Sequence, residues 1–233
     1  MAAISIKQRH PGLRWAILGG IMCIALLTIY GLLRYPATLT ITDESLVLLA
    51  MGITLVLYVS ITLYGTRAAI QIDRQVAQFG IGFGILIGVL WMTEVLSGNL
   101  GDPSNPVIMM LYRGSTLLVI LSALFAGVIS SRKSGRLRSA CLVGVWSGLI
   151  NGLLTAITAL LMTYIFMDIL KYNAQNVQEF LRNPQGAPDI MTFLTGDIIV
   201  ASMSHLLIGP ILGVVLGGIG GLLGKGWHLT ENK

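Results

Sequence analysis

The chain has 233 residues, 55% of them hydrophobic and only 11% charged. With a mean hydropathy of +0.81 it lies far from the composition of soluble globular domains and reads as an integral membrane protein. Fifteen bases against ten acids leave a formal charge of +5, but the bases are scattered between long apolar runs, which is a pattern of membrane orientation signals and excludes a nucleic-acid surface.

A helix needs about 20 apolar residues to cross about 30 Å of hydrocarbon, and six stretches qualify. The first, about Trp15 to Leu33, follows a basic leader of Lys7, Arg9 and Arg14. Its apolar part exceeds a secretory signal core and no A-x-A cleavage site follows, so it is expected to remain as a signal anchor. The second runs from about Leu46 to Tyr64 and the third from Phe79 to Ser97. Between them TRAAIQIDRQVAQ has neither Pro nor Gly and is expected to extend its flanking helices. The Gly-Asp-Pro-Ser-Asn-Pro run within Asn99 to Pro106 predicts a tight turn leading to a fourth span, Val107 to Ser131. A basic hinge, SRKSGRLR, precedes the fifth, Ala140 to Asp168. The one long connection, 171–195, contains NVQEFLR, which predicts a short amphipathic helix, and IMTFL, which is expected to dip into the interface. The sixth span runs from Gly196 to Gly224. The fold class expected is therefore a single all-α domain over residues 1–233, a transmembrane bundle of six helices.

Cytoplasmic loops retain Lys and Arg, so the charge on alternate sides predicts orientation. One side collects eleven bases, among them Arg14, Arg67, Arg74, Arg132, Lys133, Arg136, Arg138 and Lys225, with two acids, Asp73 and Glu231, for a net +9. The other side carries three bases, Arg34, Lys171 and Arg182, against seven acids, Asp43, Glu44, Asp102, Asp168, Glu179, Asp189 and Asp197, for a net −4. Both termini are expected to be cytoplasmic, in a bacterial cytoplasmic membrane.

Glycine recurs at small-xxx-small spacing in three spans. The sixth carries Gly209, Gly213, Gly217 and Gly221, the third Gly80, Gly84 and Gly88, and the fifth Gly144, Gly148 and Gly152. Such stripes let helix backbones approach closely where lipid offers no hydrophobic contrast. Tight packing within one bundle is the expectation, with a homo-oligomer seam or a sliding surface for transport as functional alternatives.

A charge near the bilayer centre costs about 2.5–3.5 kcal/mol on insertion scales, so each intramembrane ionisable group needs a partner or water. Glu94 and Arg113 lie on the antiparallel third and fourth spans and are expected to pair. Deeper, Ser115 and His205 fall about 12 to 14 Å below the surface at about 1.5 Å per residue, and Thr54 and Asn151 are expected to join them in one polar layer. Asp197 and His205 share the i,i+4 series that continues into Gly209 and Gly213. Pro210 has no N–H for the carbonyl of Leu206, so the sixth helix is expected to kink or unwind beside His205, with Gly209 and Pro210 as a hinge. A weakened helix beside an ionisable residue near the midplane is a transporter device. The expected substrate-binding set is His205, Ser115, Asn151, Glu94, Arg113 and Asp197.

Ser115 and His205 at equal depth on the fourth and sixth of six helices also resemble the dyad of rhomboid intramembrane proteases. The resemblance covers Arg113-Gly114-Ser115-Thr116 and the run from His205 through Gly209 to Gly213. It implies Ser115 as nucleophile and His205 as base. The family's Gly-x-Ser-Gly is replaced here by Gly-Ser-Thr, and the second span lacks the histidine and asparagine of the oxyanion site. The size and six-span topology are similar to the substrate-binding membrane components of vitamin-type uptake systems, a likeness that carries no residues across.

Other chemistry lacks its parts. The sequence has no Walker A, no HExxH, no paired intramembrane carboxylates and no twin haem histidines. Cys23 and Cys141 sit in apolar runs without metal-ligand spacing. No cofactor and no metal is expected. The expected partners are the lipid bilayer and, beyond it, a second copy, another membrane subunit or an ATPase. These observations point to a small-solute carrier or permease subunit, or else to a non-catalytic scaffold or assembly subunit whose glycine seams dock partner helices.

Overall fold

The computed structural model describes residues 11–66, 74–102 and 104–231. Lys7, Arg9, Arg67, Asp73 and Lys233 lie outside them, as do the side chains of Asp43, Glu44, Arg74 and Glu231. Helices dominate and no strand occurs among the described residues: α1 (Pro11–Arg34), a 3-10 turn (Pro36–Thr40), α2 (Thr42–Gly65), α3 (Arg74–Leu100), α4 (Pro106–Ser134), α5 (Leu137–Leu170), α6 (Ala174–Arg182) and α7 (Ile190–Glu231). All but α6 are long and apolar enough to cross a membrane, which gives six spans among the described residues. The chain is an integral membrane protein by that measure.

Local chemistry sets where these helices begin and end. The Asn105 side chain accepts from the Val107 amide at 2.9 Å and Pro106 occupies the first turn, so α4 starts there. Its far end passes through Arg132 and Lys133 to Gly135, whose left-handed backbone (φ 65°) turns its amide onto the Ser131 carbonyl. The basic hinge is thus mostly helix, with only Gly135 and Arg136 between α4 and α5. Asp189 caps α7, accepting from the Thr192 amide at 2.9 Å and its hydroxyl at 3.0 Å. This cap corrects the expectation for IMTFL. The segment is the first turn of α7, with Thr192, Phe193 and Leu194 buried in the bundle, and the long connection closes at Asp189. NVQEFLR does form a helix, within α6.

The core is centred on α5. Half of its apolar window is buried, against 22% for α2 and α3, and it touches α1, α3, α4 and α7. Against α7 it packs antiparallel through small residues in register. A Cβ on Gly221 would come within 2.6 Å of Ala140 Cβ, one on Gly217 within 3.1 Å of the Ala140 carbonyl, and one on Gly209 within 2.7 Å of the Gly148 carbonyl. Between these, a Cβ added to either Gly144 or Gly213 would collide with the other's carbonyl. Further along, Ser202 donates to the Ala156 carbonyl at 3.5 Å. A second face of α7 packs on α4, where Gly220 and Gly224 meet the carbonyls of Leu124 and Val128, and Gly127 meets that of Gly217. Gly80, Gly84 and Gly88 of α3 admit Trp146, Ile150 and Leu154 of α5, at 2.6 to 2.8 Å from where their Cβ atoms would stand.

The helix α7 continues through Pro210 without unwinding. The Leu206 carbonyl that proline leaves without an amide accepts instead from the Tyr58 hydroxyl of α2 at 2.6 Å. Tyr58 reaches it because Gly152 has no side chain: a Cβ there would lie 2.8 Å from that hydroxyl. The departure from helical angles is in α5, at Phe166 (φ −106°, ψ 19°).

Two substitutions test this packing. Gly213→Leu forces a side chain between two backbones and should cost about 1–3 kcal/mol or prevent folding, whereas Gly52→Leu, with nothing within 4 Å of its Cβ position, should leave thermal unfolding in detergent unchanged. Tyr58→Phe strands the Leu206 carbonyl and should lower stability by about 1 kcal/mol.

Candidate functional site

A cavity of about 360 Å³ opens between α3, α4 and α7 at the face bearing the α3–α4 turn. From α3 it is lined by Glu94, Val95, Ser97, Gly98 and Asn99, and Trp91 stands about one turn below Glu94 on the same helix. From α4 come Ile108, Met109 and Tyr112, from α7 His205, and from α6 Gln175. Gly98 leaves room for the Tyr112 ring, which lies 3.1 Å from where a Cβ would be.

The two ionisable groups in the lining are held differently from the hydroxyls that bond within their own helix, and they share the lack of a partner with Thr62, Ser131, Asn151, Thr155 and Tyr164 elsewhere in the bundle. Most intramembrane hydroxyls are satisfied within their own helix: Thr28, Thr54, Thr93, Thr158 and Ser204 each donate to the carbonyl four residues back at 2.8 to 3.0 Å. Glu94 is half-buried near Thr116 of α4, whose hydroxyl donates to the Tyr112 carbonyl at 3.2 Å, and its Oε2 is buried without a partner. His205 stands edge-on to Trp91, ring centres 5.1 Å apart, and its Nδ1 is likewise buried and unpartnered.

Above the cavity, α6 is tied down by its polar ends. Asn173 caps it through the Gln175 amide at 2.9 Å and donates to the Asn99 carbonyl at 3.5 Å, while Asn176 donates to the Leu170 carbonyl at 2.9 Å. Phe180 packs on Phe193 of α7, ring centres 5.7 Å apart. These contacts hold Gln175 over the mouth. The surrounding surface is acidic, with Asp102, Asp168, Glu179, Asp189 and Asp197 all exposed. The Ser104 hydroxyl and amide, at 2.7 and 2.8 Å, hold the Asp102 carboxyl below its ordinary value, so it is ionised at neutral pH. Lys171, one of the few bases here, is engaged by Asp168 at 2.6 Å.

The residues singled out from the sequence divide between this cavity and other places. Glu94 and His205 come together in it, on opposite walls. Arg113 does not pair with Glu94: no ion pair joins them among the described residues, and Arg113 is exposed. An exposed guanidinium on a long stem reaches polar surroundings without a protein partner. Ser115 is buried on α4 outside the lining and shares no hydrogen bond with His205, the contact a nucleophile and its base require at about 3 Å. Asn151 is buried in the α3–α5–α7 packing, its Oδ1 2.9 Å from where a Cβ of Gly209 would stand and without a partner. Thr54 is satisfied on its own helix. Asp197 is exposed, near enough to Glu179 to feel its charge. Gly209 and Pro210 are wedged against Gly148. The expected layer across four helices is therefore not one site.

The sequence reading missed Trp91, Tyr112, Asn99 and Gln175. The first two had a signal, since Trp91 is i−3 to Glu94 and Tyr112 adjoins Arg113. Asn99 and Gln175 had none, because only the folded chain brings the turn and α6 to one mouth. Compared with known proteins, the chain matches no protein-family model, no curated protein and no solved structure.

The cavity can be mapped by accessibility. In a background with Cys23 and Cys141 replaced by Ala, Asn99→Cys and Ser97→Cys should react with a membrane-impermeant maleimide, and Ser115→Cys and Asn151→Cys should remain unlabelled.

Proposed function

We propose that this chain is a small-solute carrier, or the membrane subunit of a permease, whose solute enters the cavity between α3, α4 and α7. The reading is carried by the presence in one cavity of two ionisable side chains whose buried atoms, Glu94 Oε2 and His205 Nδ1, have no partner. Ionisable groups within membrane helices are costly and are retained chiefly on solute or ion pathways. A scaffold selected for packing gains nothing from leaving them unpaired.

The positive-inside rule sets the orientation we favour. The α4–α5 hinge with Arg132, Lys133, Arg136 and Arg138 lies in the cytoplasm, six crossings bring both termini to that side, and the cavity faces outward beneath α6. A bacterial cytoplasmic membrane fits the short connections. With no nucleotide-binding motif in the sequence, the driving force is an ion gradient or a partner ATPase. Movement of the outer half of α7 is assigned to Gly209 and Pro210, where the helix lacks one hydrogen bond of its ladder.

Purification from native membranes in mild detergent, followed by mass spectrometry of what stays bound, tests this reading. A small molecule should accompany the wild-type chain at near-equal amounts and be lost from Glu94→Gln. A chain that carries no small molecule, and holds the same stoichiometric protein partners with or without Glu94→Gln, would establish a scaffold instead.

A further inference from the structure

We infer that the cavity binds a small organic cation bearing an ammonium group, with the Glu94 carboxylate as its counter-charge. The inference deepens the carrier reading and rests on the cavity being a solute site.

Charge complementarity is the first support. Among the described residues Glu94 is the sole acid of the lining, and no Lys or Arg belongs to it. The base nearest to it in the hairpin, Arg113, is exposed and makes no ion pair with it. An anionic solute would therefore meet a carboxylate with only the His205 imidazole, and no fixed cation, to offset it, and a zwitterion would leave its own carboxylate without a Lys or Arg partner. An ammonium supplies what Oε2 lacks, a charged donor in a partly desolvated site.

The second support is the rest of the wall. Tyr112 offers an aromatic ring and Trp91 stands behind His205, surfaces that favour cations over anions. Asn99 and Gln175 add neutral carbonyl acceptors, and Ile108 and Met109 add apolar surface for an alkyl chain. The volume, about 360 Å³, lies at the small end of ligand sites, which run from about 300 to 1,000 Å³. The third support is outside the cavity. The exposed acids Asp102, Asp168, Glu179, Asp189 and Asp197 outnumber the bases Arg34, Lys171 and Arg182 of that side, and a surface of net negative charge raises the local concentration of cations.

The experiment is equilibrium binding to the purified full-length protein, read by tryptophan fluorescence and calorimetry, with butylammonium, butyrate and 1-butanol as probes. Butylammonium should bind saturably, while the other two should not. Glu94→Gln should weaken that binding by roughly tenfold or more, as should Ser97→Lys, which sets a competing ammonium in the lining. Both variants are checked for wild-type thermal unfolding, and if one fails to fold the other decides. Equal binding of butyrate or butanol, or undiminished butylammonium binding in the folded variant, would overturn the inference. Uptake of labelled butylammonium into proteoliposomes separates the two readings. Saturable Glu94-dependent binding without uptake upholds the cation site and counts against carriage. Uptake of other solutes with no butylammonium binding upholds carriage and overturns the cation site.

Discussion

Where Gly144, Gly148 and Gly152 of α5 meet Gly209, Gly213 and the Leu206 backbone of α7, main-chain atoms touch main-chain atoms, and the remaining helices take their positions from that contact. Inside a bilayer apolar side chains gain little by leaving lipid, so association depends on close van der Waals fit and on hydrogen bonds. Glycine supplies the fit by removing the side chain that would hold two helices apart. The same absence at Gly152 opens the path for the Tyr58 hydroxyl to reach the Leu206 carbonyl. A proline defect and its repair are therefore parts of one seam, and α2 is fastened to α7 by a bond that an ordinary residue at position 210 would have made redundant.

Placing α5 at the centre decides where a solute site can exist. Its buried face, from Ala140 through Leu149 to Leu160, is turned into the interior, where small residues and apolar side chains pack closely. Asn151 is absorbed into that packing. The cavity lies where α3 and α4 part beside α7, and α6 is tied down next to it through Asn173, Asn176 and Phe180. His205 belongs to both regions. Its carbonyl faces Gly152 in the seam, while its ring turns toward Trp91 and the cavity.

Unpartnered buried polar atoms also occur outside the site, at Thr62, Ser131, Asn151, Thr155 and Tyr164; what distinguishes the site is that a carboxyl and an imidazole left in that condition share one cavity. Serine and threonine are cheap in membrane helices because each can donate to its own helix's preceding turn, as Thr28 and Thr54 do here. A carboxylate or an imidazole has no such local remedy and must find a partner across helices or from a ligand. In the α3–α4–α7 cavity no protein group among the described residues meets that demand for Glu94 Oε2 or for His205 Nδ1.

Six spans, the short α3–α4 turn, the glycine spacing and the unmet Leu206 carbonyl were all legible in the order of residues, because apolar run length, turn chemistry and proline's missing N–H are local properties. Glu94 and His205 stood out for the same reason: an ionisable residue inside an apolar run is visible without knowing its neighbours. What the sequence could not decide was azimuth. Rise along a helix gives depth, but the facing direction of a side chain is set by which helices pack together. Depth alone therefore joined Ser115, Asn151 and Thr54 to His205, and proximity on adjacent spans joined Arg113 to Glu94. The fold turned α5 inward and Arg113 outward, carried IMTFL into α7 behind the Asp189 cap, and brought Trp91, Tyr112, Asn99 and Gln175 around the two ionisable groups. Those juxtapositions depend on contacts between residues far apart in the chain, which only the packed bundle creates.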